Sequence, residues 1–355
     1  MNREILSLDG AAGSGSGTIA RDAACFAALT GRAVRLYNIR AKRGKPGLRP
    51  QHVKVLQACA EVCKGRLRKA EPGSREFEFY PRSQVRGGEY YWDIGTAGST
   101  TMLLLGVLPL GLLADGPSIY VLRGGLFQDF APSALHTRHV LMPILTSMGV
   151  EASLDIQRPG YVPSGGGCLE CTVYPAKIGL RPLSRTDTGD VIEIRGLALS
   201  SYLEKRRVSR RMRQACEERL QGWNVPLAIE EINDSRQKPA FREPAEQAGA
   251  CLAVWARTST GCLLGSDLAG APGRPAEKIG QKVADRLIED LSARACVDRF
   301  LADQLVPFAA LAKGVSTYRI PMVTDHVETR LRLVEKFFGA QSEIHDAVVS
   351  IAGVG

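Results

Sequence analysis

The chain lacks an apolar run long enough to span a bilayer. Its longest, Met102 to Ala114, is interrupted by Pro109 and falls short of the roughly 20 apolar residues that a spanning helix needs. The opening residues, MNREILSLDG, hold neither an apolar signal core nor a cleavage site, which sets the expectation of a cytoplasmic protein. Aromatic residues are scarce at 6%, while 45% apolar and 23% charged residues exclude collagen, coiled coil and wholesale disorder. A disulfide scaffold is missing too. Nine cysteines, an odd number without an export signal, imply free thiols in a reducing compartment. Cys168 and Cys171 form a CxxC and Cys59 and Cys63 a CxxxC, but no matching pair stands at zinc-finger spacing. Cys59 and Cys63 share the apolar face of a helical pattern with Val55 and Val62, where buried thiols are ordinary.

What the chain has is length and unevenly placed positive charge. Its 355 residues predict two compact units. The net charge is +9, yet Gly31 to Arg86 alone carries fifteen basic residues against four acidic ones, so the rest of the chain is slightly acidic. Such a local field draws polyanions, phosphate above all; a solvated basic face is the plain alternative. The second basic run, KRRVSRRMR from Lys205 to Arg213, reads as one charged face of a helix.

Periodicity predicts a strand at Glu4–Leu8, a glycine-rich loop, and a helix with Ile19, Ala23, Phe26 and Ala27 inward that ends at Gly31. A strand over 32–39 and a helix over 52–64 follow. Further strands are predicted at 76–80, 90–94 and 119–122, with helices at 102–114 and 136–148. A glycine-rich turn leading into an apolar helix occurs at Asp9 and again near Gly95, and a third such turn lies at Pro163–Gly167, as in diverged copies of one α/β unit. The stretch from Leu180 to Lys278 is more polar and closes on AGAPGRPAEK, which suggests a smaller domain inserted at an exposed turn. The expected division is a main domain of residues 1–180 and 279–355 around an insert of residues 181–278.

Two segments carry chemistry. The loop Asp9–Thr18 sets Gly10, Gly13, Gly15 and Gly17 at a helix start, where backbone N–H groups and the helix dipole favour an anion. It is neither a Walker A loop nor a dinucleotide fingerprint. In NIRAKRGKPGLRPQH, Arg40, Arg43, Lys45, Gln51 and His52 crowd a turn before a helix; guanidinium forks grip phosphate oxygens in pairs. With this stretch the sequence resembles the RNA 3'-terminal phosphate cyclases. The likeness continues through IGTAGSTT (Ile94–Thr101), GGxxxxxAP (Gly124–Pro132), PSGGG (Pro163–Gly167), FLADQL (Phe300–Leu305) and TDHVETRLRLVEKFF (Thr324–Phe338).

The resemblance implies an α+β main domain of three β-α-β-α-β-β units with a small α/β insert after the second, akin in fold to the enolpyruvyl transferases. It implies an AMP-forming ligase that uses ATP and Mg²⁺ or Mn²⁺ on RNA 3'-phosphate ends, with His326, followed by Thr329, as the residue that takes AMP. A neutral imidazole is a nucleophile near pH 7 and then a good leaving group; taken without the family, His326 reads as a capping or surface residue. Phe300, Leu301, Ala302, Asp303, Gln304 and Pro132 are expected around the adenine and ribose. Arg21, Arg40, Arg43, Gln51 and His52, with Lys45 beside them, are expected on the RNA phosphate. Three positions depart from the family: Ser14 stands in place of a glutamate, Leu105 in place of a glutamine, and GGLFQDFAP in place of GGTDxxxAP. The first two remove oxygen ligands for a divalent ion. The alternatives are a non-catalytic protein that binds RNA ends, and a relative that adenylylates another phosphorylated ligand. Monomer and homodimer are both left open, and the metal ligands are not assigned.

Overall fold

The computed structural model describes residues 5–355, so Glu4, the first residue of the predicted opening strand, lies outside the described part. The first unit runs β1 (Leu6–Asp9), α1 (Gly17–Thr30), β2 (Val34–Tyr37), α2 (Pro50–Val62), β3 (Arg66–Arg68) and β4 (Phe77–Tyr80). Ser16 caps α1 by accepting the Thr18 N–H at 3.3 Å, and Gly31 ends it in the left-handed region at φ 67°, the ordinary glycine stop. The second unit runs β5 (Gly88–Asp93), α3 (Thr100–Leu112), β6 (Ser118–Gly124), then α4 (Ala134–His136) joined through a π turn to α5 (Met142–Ser147), then β7 (Ala152–Arg158) and β8 (Gly167–Val173). Helix α3 is buried along its whole length, which explains its apolar character on every side.

The third unit is split. Its first strand, β9 (Ser184–Arg185), is followed by the insert: β10 (Val191–Ser201), α6 (Val208–Leu220), β11 (Leu227–Asp234), β12 (Gly249–Thr258), β13 (Leu263–Ala269) and α7 (Ala276–Ser292). The unit then resumes with α8 (Leu301–Gln304), α9 (Val306–Ala310), β14 (Lys313–Arg319), α10 (Asp325–Phe338), β15 (Ser342–His345) and β16 (Val348–Val354). The sheets β1-β2-β4-β3, β5-β6-β8-β7 and β9-β14-β16-β15 share one strand order. In each, the first two strands pair in parallel and the remaining neighbours antiparallel. This is the expected three-unit α+β architecture.

Two expectations are corrected. Pro163–Gly167 does not open a third unit; it is the connection between β7 and β8 of the second. The insert also interrupts the third unit after its first strand, and it does not end at residue 278. Helix α7 buries Ile279, Val283 and Leu287 in a second core with Met212 and Cys216 of α6 and Leu252, Val254 and Leu264 of the insert sheet. The insert therefore runs on through α7.

Charge in the insert is largely paired. Arg211 meets Glu277 at 2.6 Å, Arg213 meets Glu231 at 2.9 Å and Arg219 meets Asp285 at 2.6 Å, so the run from Lys205 leads into a solvated, ion-paired helix face. All nine cysteines are free thiols. In the main core, Phe26 of α1 meets Phe337 and Phe338 of α10 edge-on, at 5.7 and 5.0 Å between ring centroids, and this contact joins the first unit to the third. Replacing Phe26 by Ala is expected to lower unfolding stability by about 3–5 kcal/mol in urea titrations; a loss under about 1 kcal/mol contradicts this account of the junction.

Candidate active site

A cleft of about 850 Å³ opens where the N-terminal ends of three helices meet. Ser16, Gly17 and Thr18 begin α1, Arg49, Gln51 and His52 begin α2, and Thr324 and His326 begin α10; all of them line this cleft. Each helix start presents unpaired N–H groups and a partial positive charge. Arg21, Arg40 and Arg43 line the same space.

The chain holds these ends together by close backbone approaches. A methyl group on Gly17 would lie 2.0 Å from Nε2 of His52, so only glycine lets α1 start against that ring. Nδ1 of His52 accepts the Arg49 N–H at 3.0 Å, which places the ring proton on Nε2 of a neutral imidazole. Burial, aided by Arg21, Arg40 and Arg49, pushes the His52 pKa down to about 3. His52 is thus a fixed neutral donor. Gln51 takes the Ser99 N–H at 3.0 Å and ties the cleft to the cap of α3. Arg40 donates to the carbonyls of Lys45 and Gly47 at 2.7 and 3.0 Å, which shapes the basic loop. Lys45 itself is exposed and is not among the residues lining the cleft.

His326 stands in the first turn of α10, behind the cap in which Thr324 accepts the Val327 N–H at 3.3 Å. Three residues on, Thr329 accepts the Ser14 N–H at 2.9 Å, and this fixes the glycine loop against the histidine helix. Arg330 is buried next to it. Its guanidinium donates to both carboxylate oxygens of Asp22, at 2.7 and 3.3 Å, and to the Asp303 carbonyl at 2.7 Å. It also meets the Asp303 carboxylate at 3.2 Å. Burial lowers the pKa of His326, helped by Arg330, Arg21 and Arg43 and opposed by Asp303. Burial raises that of Asp303, opposed by Arg330 and His326. Arg21 donates to Thr18 Oγ1 at 3.1 Å and to Met102 Sδ at 3.3 Å; burial lowers its pKa to about 10, so it stays charged at neutral pH.

Phe300, Asp303, Gln304 and Pro132 also line the cleft. Gln304 leaves a buried Oε1 without a partner, an acceptor available to an amino group. Leu301 and Ala302 are not brought to the cleft. Both are buried in the main core, because within one helical turn positions 300, 303 and 304 share a face while 301 and 302 face away. Sequence reasoning missed Arg49, Arg299, Gln128 and Asp129 in the lining, and Phe130, which stands fully exposed at φ 66° over the cleft. Only the altered GGLFQDFAP loop signalled the last three.

Comparison with known proteins shows the family. Residues 12–344 match the family model of RNA 3'-terminal phosphate cyclase. The chain belongs to that family. It is 36% identical to the RNA 3'-terminal phosphate cyclase of Methanopyrus kandleri over 96% of this chain and 95% of that one. It is likewise 36% identical to that of Desulfurococcus amylolyticus over 99% of each chain, and 34% identical to that of Pyrococcus furiosus over 97% of this chain and 96% of that one. Among solved structures, the enolpyruvyl transferase NikO from Streptomyces tendae aligns at 13% identity and TM-score 0.24, over 98% of this chain and 51% of that one, a likeness too low to carry an argument.

A cyclase of this family is expected to work with a divalent cation, yet the residues here do not fit one held by the protein. The carboxylates lining the cleft are Asp129 and Asp303. Asp129 is engaged by Arg274 at 2.7 and 3.0 Å, and Asp303 by Arg330. Ser14 spends its hydroxyl on Ser16 at 3.1 Å, and Leu105 is buried. No group of three or more metal-ligating side chains exists among the described residues.

The wall of the cleft therefore rests on the Asp22–Arg330–Asp303 cluster. Arg330→Met strands two buried carboxylates, and a loss of about 3–5 kcal/mol of stability is expected. Thermal unfolding checks this; an unchanged melting temperature shows that the cluster does not hold the site.

Proposed function

We propose that the chain converts an RNA 3'-terminal phosphate to a 2',3'-cyclic phosphate at the expense of ATP, through AMP held covalently on His326. The observation that carries this reading is an imidazole biased toward its neutral form, set at a helix start in a cleft of unneutralised guanidinium groups.

The unprotonated ring nitrogen of His326 attacks the α-phosphorus of ATP. A phosphorus–nitrogen bond forms, the bond to the bridging oxygen breaks, and pyrophosphate leaves with the electron pair. Arg21 and Arg43 and the N-termini of α1 and α10 offset the charge that builds on the phosphoryl oxygens. Phe300 supplies a face for the base, and the free Oε1 of Gln304 accepts from its amino group. An oxygen of the RNA 3'-phosphate then attacks the same phosphorus, and the imidazole departs with the pair from the broken phosphorus–nitrogen bond. Arg40, Arg49, Gln51 and the Nε2–H of His52 would hold that phosphate. In the last step the neighbouring 2'-oxygen attacks the activated 3'-phosphorus, its proton passes to solvent, and AMP leaves. The activation matters because a phosphate monoester dianion is a poor electrophile, whereas its anhydride with AMP carries a good leaving group.

Incubation with ATP labelled at the α-phosphate is expected to leave acid-releasable label on the protein and none on His326→Ala. Because the pKa of His326 is lowered from 6.5, the nucleophilic form survives as pH falls through 6.5, and the rate of label uptake is expected to decline only below that point. An RNA-binding protein that never takes up label, or uptake in His326→Ala equal to the parent, overturns the reading.

A further inference from the structure

The cleft's charge census has an unusual balance. Arg21, Arg40, Arg43 and Arg49 line it, and none of the four has a carboxylate within ion-pair distance among the described residues. Their bonds go to a hydroxyl, a thioether and backbone carbonyls. The two lining carboxylates are each already tied to another arginine, Arg274 or Arg330. Three helix N-termini add partial positive charge. A divalent cation entering on its own meets repulsion from every side and no free anionic ligand. A triphosphate meets the opposite.

Arg43 stands at the decisive place. It donates to the carbonyl of Ser14 at 3.0 Å, the residue whose N–H bonds Thr329, and it is among the cations that depress the His326 pKa. Its guanidinium thus touches the glycine loop and lines the same cleft as His326, the space that the phosphate chain of the nucleotide and the incoming 3'-phosphate would share.

We propose that fixed guanidinium charge, led by Arg43, does the phosphate-neutralising work of a divalent cation in this cyclase, so that AMP reaches His326 without a metal ion bound by the protein. The proposal rests on the reading of His326 given above. As the phosphorus–oxygen bond to pyrophosphate breaks, Arg43 and Arg21 offset the charge on the oxygens of the leaving group and of the α-phosphate; no co-reactant beyond ATP is required.

The test uses the full chain and α-labelled ATP in EDTA, in Mg²⁺ and in Mn²⁺, together with equilibrium dialysis of ATP under the same conditions. Arg43 is exposed, so Arg43→Met leaves the core intact. Label uptake in EDTA is expected within about threefold of that in Mg²⁺, and to fall about a hundredfold in Arg43→Met, the scale of losing one charge-stabilising donor. ATP binding in EDTA is expected to weaken in parallel, and Arg43→Lys to restore part of both. Uptake by the parent protein only with a divalent ion, or uptake and ATP binding in EDTA unchanged by Arg43→Met, overturns this proposal and leaves the role of His326 standing. No uptake under any condition overturns both.

Discussion

One buried guanidinium holds the site together. Arg330, only 2% exposed, reaches from α10 to Asp22 on α1 and to both the backbone and the side chain of Asp303 on α8. Those three elements carry His326, Arg21 and the pair Asp303–Gln304. Removing a charge from water is costly, and such a cluster is retained only when every partner is satisfied. Here the cost fixes the relative position of three helices that come from opposite ends of the chain. The bond from Ser14 to Thr329 repeats the linkage at the level of the glycine loop.

The same geometry sets the electrostatics. Helix N-termini and arginines converge on one space, where their joint field attracts phosphate; burial lowers the pKa of the histidine at its edge, and Arg330, Arg21 and Arg43 add to that shift. The neutral His52, fixed by the Arg49 N–H, adds a hydrogen-bond donor without another charge. The apolar contact of Phe26 with Phe337 and Phe338 closes the main core behind this face.

Much of this was legible in the sequence, and the exceptions have physical causes. Most strands and helices of the first two units followed from periodicity and glycine stops, with ends displaced by a few residues, but β3, β7 and β8 went unpredicted. The third unit was hidden because its first strand is two residues long and the insert separates it from its helices. Helix α7 is amphipathic, and a pattern shows that a helix has an inner face without showing which core receives it; hence the boundary drawn at residue 278. Leu301 and Ala302 were included because a motif is read as a continuous string, whereas a helical turn sends its members in different directions. Arg49 lay inside the basic stretch and only its position at the start of α2 reveals its part in the cleft. Gln128, Asp129 and Phe130 belong to a loop whose path no periodic signal encodes.

The central claim is a bond between AMP and one imidazole. Digestion of ATP-treated protein with trypsin at neutral pH, followed by mass spectrometry, locates the nucleotide directly. One AMP on the peptide Ile320–Arg330, with fragment ions assigning it to His326, is the expected result; AMP on a lysine, or on any peptide lacking His326, contradicts the account.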